Sequence, residues 1–369
     1  CPDLSSEYPI TTDQIDAYQR DGHVRLPGVC SPEEVGVYRK AINEALFQVM
    51  EEDPTVILLG EDIAGGEGSP GESDAWGGDM GITKGLQPRF GKERVMDTPI
   101  SESAIMGTAV GAATCGLRPI AELMFVDFMG VCFDQIMNQA AKFRYMFGGK
   151  AETPVVIRTQ IGAGYRGAAQ HSQCLYPMFA HVPGIKCVIP SSAYDTKGLL
   201  IQAVRDNDPV IFFEHKFMYD QVSDDVPEEM YAVPFGEANI VREGGDVTIV
   251  AIAWMVHQAK AAAEILAGEG IECQIVDPRT ISPLDEDTII ECVEETGRLV
   301  VVDEAYPRCN MGTDISALVA REAFGALKAP IQVVSPPHVP VPFAPELEDA
   351  FIPSPEKIAE AVRKTMNYK

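Results

Sequence analysis

Five short apolar runs, at residues 55–60, 119–125, 154–159, 186–189 and 209–214, are separated by stretches with helical spacing. These runs show little polar–apolar alternation. Strands of that kind are covered on both faces, as in a parallel sheet between layers of helices. The helices are predicted over 102–115, 127–146 and 194–206. The alternation then repeats, with strands at 246–253, 272–276, 298–302 and 330–334 and helices at 256–267, 285–296, 312–324 and 355–366. Pro227, Pro234 and acidic turns mark 220–240 as a connection. The expected fold class is α/β in two successive units, within the two to three domains that 369 residues allow. Ahead of the first strand, Val35, Tyr38, Ile42, Leu46 and Val49 form one face of a long amphipathic helix. Capping-box spacings open helices at 11–14 and 31–34. The Gly- and acid-rich segment 64–85 is expected at the surface, near a site or a partner.

A net charge of −26 argues against nucleic acid, which needs clustered Lys and Arg, and it disfavours anionic membrane surfaces. It suits solubility, or a negative face toward a basic partner. No run of eighteen apolar residues exists to span a bilayer. The nine cysteines are scattered and never spaced CxxC, which suits a reducing compartment. With no basic-then-apolar leader, the expected location is the cytoplasm.

The richest chemistry lies in Asp97-Thr-Pro-Ile-Ser-Glu-Ser-Ala-Ile-Met-Gly-Thr-Ala-Val-Gly-Ala-Ala113. Glu102 there opens a helix just after a strand end. Gly107, Ala109, Gly111, Ala112 and Ala113 let another backbone or a flat ligand approach closely. A second polar cluster, Ala168-Ala-Gln-His-Ser-Gln173, carries His171. Gly162-Ala-Gly-Tyr-Arg-Gly167 has the GxGxxG spacing. Pro177 and Pro183 interrupt the helix a nucleotide site would need, and the match is read as chance. No GxxxxGK[ST] loop, GxSxG elbow or paired metal-spaced histidines occur. His215, His257 and His338 are read as core or surface residues, and His181 as a neighbour of the site motif.

Several ordered words carry a resemblance. Thr-Val-Ile-Leu-Leu-Gly-Glu-Asp at 55–62, the 97–113 stretch, Ala168–Gln173, Lys197-Gly-Leu and Arg205-Asp-Asn-Asp-Pro209 together resemble the β subunits of thiamine diphosphate-dependent 2-oxoacid dehydrogenase E1 components. Ala75-Trp-Gly-Gly, Thr83-Lys-Gly-Leu86 and Pro307-Arg-Cys309 point to the acetoin branch over the pyruvate branch. The resemblance covers about residues 38–369. It implies a transketolase-like pyrimidine-binding domain at 38–225, a linker at 226–240 and a smaller α/β transketolase C-terminal domain at 241–369.

Residue by residue, the resemblance assigns Glu102 to the aminopyrimidine nitrogen of thiamine diphosphate, and His171 to proton transfer or alignment of the lipoyl group. It places Phe128 against the pyrimidine and Glu61 in the cofactor cleft. A monovalent cation such as K+ is matched to Val155, Ala203, Asp206 and Asp208. The family holds the diphosphate and Mg2+ through a Gly-Asp-Gly segment, which this sequence lacks. That implies an E1 α subunit supplying the metal half in an α2β2 heterotetramer, and a lipoyl-bearing E2 acyltransferase as acceptor of the acetyl group made from acetoin or pyruvate. A branched-chain 2-oxo acid as substrate, or a noncatalytic subunit docking the E2 core, remains an alternative. Residues 1–37 stand apart as an extension. Within them, 10–35 resemble the opening of phytanoyl-CoA dioxygenase-like proteins without that family's iron ligands, so His23 is read as a surface residue.

Overall fold

The computed structural model describes residues 36–64, 77–78 and 80–368. The capping boxes at 11–14 and 31–34, the dioxygenase-like stretch with His23, and the Ala75-Trp76 word lie outside these residues.

Among the described residues, twelve strands form two sheets. In chain order they are β1 (Val56–Gly60), β2 (Val95–Asp97), β3 (Arg118–Phe125), β4 (Val156–Ile161), β5 (Lys186–Val188), β6 (Val210–His215), β7 (Asn239–Arg242), β8 (Val247–Ala251), β9 (Cys273–Asp277), β10 (Thr280–Ser282), β11 (Leu299–Val302) and β12 (Gln332–Val334). The first sheet has the order β10-β5-β6-β4-β3-β1-β2, the second β12-β11-β8-β9-β7. All neighbours are parallel except β10 on β5 and β7 on β9. The inner strands β4 and β6 are buried at every residue, which accounts for their continuous apolar character.

The helices of ten or more residues are α1 (Val37–Glu52), α2 (Glu102–Thr114), α3 (Ala193–Arg205), α4 (Trp254–Ala267), α5 (Glu286–Thr296), α6 (Met311–Glu322) and α7 (Pro355–Met366). Four of their starts follow capping chemistry: Ser192, Asp285, Asn310 and Ser354 each accept a backbone N–H three residues on. No helix among the described residues is long and apolar enough to cross a membrane. The seven described cysteines are all free.

Several elements differ from the sequence expectation. The single helix predicted over 127–146 is divided into a 3-10 turn Val126–Phe128, an α-helix Met129–Asp134, a π segment Gln135–Ala140 and a short helix Phe143–Met146. Both the α-helix and the π segment pack against α2. Residues 220–240 do not remain wholly a linker, because β7 begins at Asn239 and joins the second sheet. The three-residue β10, from the second unit, pairs with β5 of the first sheet. One apolar core also spans both units, joining Ile157, Ile161 and Phe213 to Val250, Val276 and Val301. The two units are thus packed as one body across a dry face.

Asp277 ends β9 at this junction and is fully buried. It accepts hydrogen bonds from the Ser191 hydroxyl and, at 2.9 Å, from the Arg279 N–H. Burial pushes its carboxyl from an ordinary 3.8 up to about 7, with the Asp195 charge adding to the rise. A carboxyl with a raised folded value binds its proton more tightly when folded. Its contribution to stability therefore falls as pH rises from 3.8 toward about 7 and is constant above that. Asp277→Asn keeps an oxygen for the Arg279 N–H and places its amide N–H where it can donate to the Ser191 hydroxyl. In urea melts across pH 4–8 its stability advantage over the parent should grow up to pH 7, to on the order of 1–3 kcal/mol, and then level off. A difference independent of pH would contradict this.

Candidate active site

The site forms at the carboxyl ends of the first sheet's central strands, where open α/β sheets place their ligands. β1 ends in Gly60, and a Cβ there would lie 2.9 Å from the Cβ of Glu122 on neighbouring β3. Glycine is therefore demanded by close approach, and Glu61 follows at the strand end. The Gly60 carbonyl accepts the Thr98 N–H at 2.9 Å, and Asp97 Oδ1 accepts the Ala64 N–H at 2.7 Å. These bonds tie the strand end to the segment that enters α2.

Glu102 is the first residue of α2 and is half-buried. The helix turns Ile105, Met106, Ala109, Val110 and Ala113 to the core. Its small residues serve two purposes. At Gly107 a Cβ would meet Gln135 Oε1 at 3.3 Å, whereas Gly111 opens onto free space. Exposed apolar residues flank this region of the chain: Ile100, Val131, Tyr145, Met146 and Phe147 are all more than half exposed.

Glu61 and Glu102 are brought together. The Glu61 carboxyl is raised by burial first, then by the charges of Glu102, Asp62 and Glu122. The Cys132 thiol is pushed up to about 12, by burial and then by Glu102. Glu102 therefore faces the short helix that follows Phe128. On the other side, His171 sits against two aromatic rings. Phe125 lies 4.8 Å away and Phe128 5.3 Å away, both edge-on, and the two phenylalanines are 5.8 Å apart. Asp127 Oδ1 accepts from Gln173 Nε2 at 2.8 Å, which pins the strand of chain just after His171. The buried Asp127 Oδ2 and Thr98 Oγ1 have no hydrogen-bond partner among the described residues.

The four positions matched to a cation also lie together, but at the opposite edge. Val155 precedes β4 and Asp206 and Asp208 precede β6, about 20 Å from the carboxyl ends at the usual rise per residue. Lys186 Nζ binds both oxygens of Asp206 at 2.6 and 2.7 Å, and Arg144 pairs with Asp208. The Val155 and Ala203 carbonyls accept N–H groups from Val210 at 2.9 Å and Asp206 at 3.3 Å.

Sequence reading missed Phe125, Lys216 and Glu304. Lys216 Nζ is buried 5.5 Å from the Phe125 ring centre. His215, given no role, bonds Glu304 at 2.8 Å. Glu304 had a signal: Asp303-Glu304 follows the apolar run 299–302 much as Glu61-Asp62 follows 56–60.

Sheet order, the acid-bearing strand end and the small-residue helix together define a transketolase-like subunit. Residues 36–221 match the transketolase pyrimidine-binding domain and 236–358 the transketolase C-terminal domain. The chain belongs to this thiamine diphosphate-dependent family. It is similar along most of its length to β subunits. The acetoin:2,6-dichlorophenolindophenol oxidoreductase subunit beta of Cupriavidus necator is 69% identical over 326 residues, 88% of this chain and 96% of that one. Its counterpart in Bacillus subtilis is 55% identical over 320 residues, 86% and 93% respectively. The pyruvate dehydrogenase E1 component subunit beta of Rickettsia felis is 46% identical over 330 residues, 89% and 98%. A solved split-gene transketolase, an inactive beta4 tetramer, shares the fold with a TM-score of 0.70 at 24% identity, over 89% of this chain and 97% of that one.

Proposed function

We propose that this chain is the β half of an E1 component that cleaves acetoin and passes the acetyl group to the lipoyl group of an E2 acyltransferase. The observation that carries the catalytic part is that Glu61 and Glu102, which feel each other's charge, lie at the same strand ends as the Phe128–His171 ring contact. Acetoin is favoured because the relatives at 69% and 55% identity carry it in their names, while a pyruvate relative stands at 46%.

The residues fit the pyrimidine half of thiamine diphosphate. A ring nitrogen bearing a proton wants a carboxylate, a flat ring wants an aromatic neighbour, and the unpartnered Thr98 and Asp127 oxygens leave polar capacity at the cleft. When bound, the cofactor supplies the nucleophilic carbon and the electron sink for carbon–carbon cleavage. Glu102 would hold the pyrimidine nitrogen. Glu61, with its raised carboxyl, keeps a second proton acceptor within the same field. Phe125 and Phe128 pack side by side on the His171 ring and keep water from that face, leaving the opposite side to exchange a proton with a substrate oxygen. The Mg2+ and diphosphate half is assigned to an α subunit in an α2β2 assembly, since the sequence holds no Gly-Asp-Gly segment. The exposed apolar residues Val131, whose carbonyl accepts from Ser103 of α2, and Tyr145–Phe147 support a subunit contact on this part of the surface. The cytoplasm is the proposed location.

The donor set at 155, 203, 206 and 208 does not fit a monovalent cation as it stands. The Lys186 ammonium already lies on Asp206, Arg144 lies on Asp208, and both carbonyls accept N–H groups. No step is routed through such an ion.

Co-expression with its α subunit tests the reading. With an artificial electron acceptor, the pair should turn over acetoin at least about 10-fold more efficiently than pyruvate, within the range that pocket contacts provide. The chain alone should show no turnover and no tight binding of thiamine diphosphate. Tight binding by the chain alone would overturn the shared site.

A further inference from the structure

We propose that Glu304 and Glu348, both in the second unit, are positioning residues for His171, acting through the turn Gly162–Gly167. The inference rests on the catalytic reading of His171 given above and extends it to residues far away in sequence.

The GxGxxG stretch has a physical cause other than a nucleotide. Gly162, Gly164, Arg166 and Ala168 take φ values of +93°, +98°, +59° and +59°. Two of these are not glycine, and each such left-handed residue costs on the order of 1 kcal/mol or more unless its surroundings hold it. A backbone that alternates in this way turns several N–H groups to one side, forming a concavity that binds anions. Here the anions are side chains of the second unit. Ala163 N–H donates to Glu304 Oε1 at 2.7 Å, Gly164 N–H to Glu348 Oε1 at 2.9 Å, and Arg166 N–H to Glu348 Oε2 at 3.2 Å. The Arg166 guanidinium closes the set, donating to Glu348 Oε2 at 2.8 Å and to the Pro345 carbonyl at 3.0 Å. Glu348 is fully buried.

The turn is held at its other polarity from the first unit. Lys216 Nζ donates to the Gly162 carbonyl at 2.6 Å. His215, which shares Glu304 with the turn, leaves no room at Gly162, where a Cβ would fall 2.1 Å from its Nε2. The turn then leads directly into the site. A Cβ on Gly167 would lie 3.1 Å from His171 Cβ and 3.0 Å from Ser172 Oγ, and His171 N–H bonds the Ala168 carbonyl at 3.4 Å. Lys216 also stands over the Phe125 ring that packs on His171. The carboxylates of the second unit therefore set the path of the chain carrying His171. Displacing such a group by about 1 Å can cost as much as 10²-fold in rate.

Simple domain adhesion predicts a different result, and the test separates the two. In the co-expressed α–β assembly, kcat is measured for the parent, His171→Gln, Glu348→Gln and the double variant, with the thermal midpoint of each. His171→Gln should lower kcat by about 10²-fold, in the range of a lost proton-transfer group. Glu348→Gln should lower kcat roughly 10-fold with little change in KM, and should lower it less than about twofold further once His171 is already Gln. An equal loss in both backgrounds, or no loss of kcat, would overturn the positioning role. No loss from His171→Gln alone would instead remove the catalytic reading of that residue, and this inference with it. Should Glu348→Gln fail to assemble, the half-exposed Arg166→Gln decides by the same comparison, since it loosens the turn without emptying a buried site.

Discussion

Glu102→Gln is expected to lower turnover of the α–β pair by about 10²–10⁴-fold while leaving assembly intact. The substitution keeps the shape of the side chain and changes only its charge and proton affinity. The helix should not notice: its core face is Ile105, Met106, Ala109, Val110 and Ala113, and its first turn is closed by N–H groups of Ala104 and Ile105 on the Ser101 carbonyl, both at 3.0 Å. The cleft should notice. A carboxylate at a helix N-terminus is favoured by the dipole, whereas a neutral amide there gives a ring nitrogen no negative partner. Glu61 cannot take over without its own burial cost, since its carboxyl is already raised by burial and by neighbouring acids. Steady-state turnover, size-exclusion of the assembly and cofactor titration together check the result. Full turnover in an intact assembly would favour the noncatalytic, E2-docking reading instead.

Much of the fold was legible because buried parallel strands write themselves as continuous apolar runs. The runs at 55–60, 154–159 and 209–214 correspond to β1, β4 and β6 within a residue or two. The misses have physical causes. β10 is three residues long and obeys no period, and its pairing with β5 depends on how the units dock. The stretch 127–146 has helical spacing, which cannot register a change of winding into the π segment Gln135–Ala140. In the candidate site, Glu61, Glu102, Phe128 and His171 were proposed from linear words, and each follows the carboxyl end of a strand of the first sheet. The role of the turn at 162–167 was not legible, for an instructive reason. Its glycines do mark a backbone that binds an anion, but the anions sit 141 and 184 residues further along the chain. No local pattern could supply them. Likewise Lys197-Gly-Leu, part of the resemblance, holds the connection between units. Lys197 Nζ donates to the Pro227 carbonyl at 2.5 Å, and a Cβ on Gly198 would strike Val233 at 2.5 Å.

Arg158→Met should destabilise the chain by about 3–5 kcal/mol, the usual result of removing one member of a buried ionic group. Arg158 bridges three strands. It donates to Glu214 through Nε at 2.6 Å and Nη2 at 2.9 Å, and to Glu122 through Nη1 at 2.7 Å. The three side chains are 2%, 1% and 7% exposed, in the order Arg158, Glu214, Glu122. Tyr219 donates to Glu214 at 2.6 Å. Without the guanidinium, two carboxylates face each other in a dry strand layer and both protonate more readily. Their folded values would then lie above the unfolded ones, so the variant should regain stability as pH falls toward 5 and lose it as pH rises. Melts of the parent and variant at pH 5 and 8 read this directly, and an equal deficit at both values would rule out the unpaired-charge cause. Arg158→Met combined with Glu122→Leu and Glu214→Leu should recover most of the loss, because packed apolar side chains often replace a buried ionic group without penalty. That triple variant separates two roles. Glu122 lies against Gly60 and adds its charge to the field at Glu61. If the triple variant folds normally yet the α–β pair slows, the ionic group is maintained for the charge it places behind the cleft rather than for the stability of the sheet.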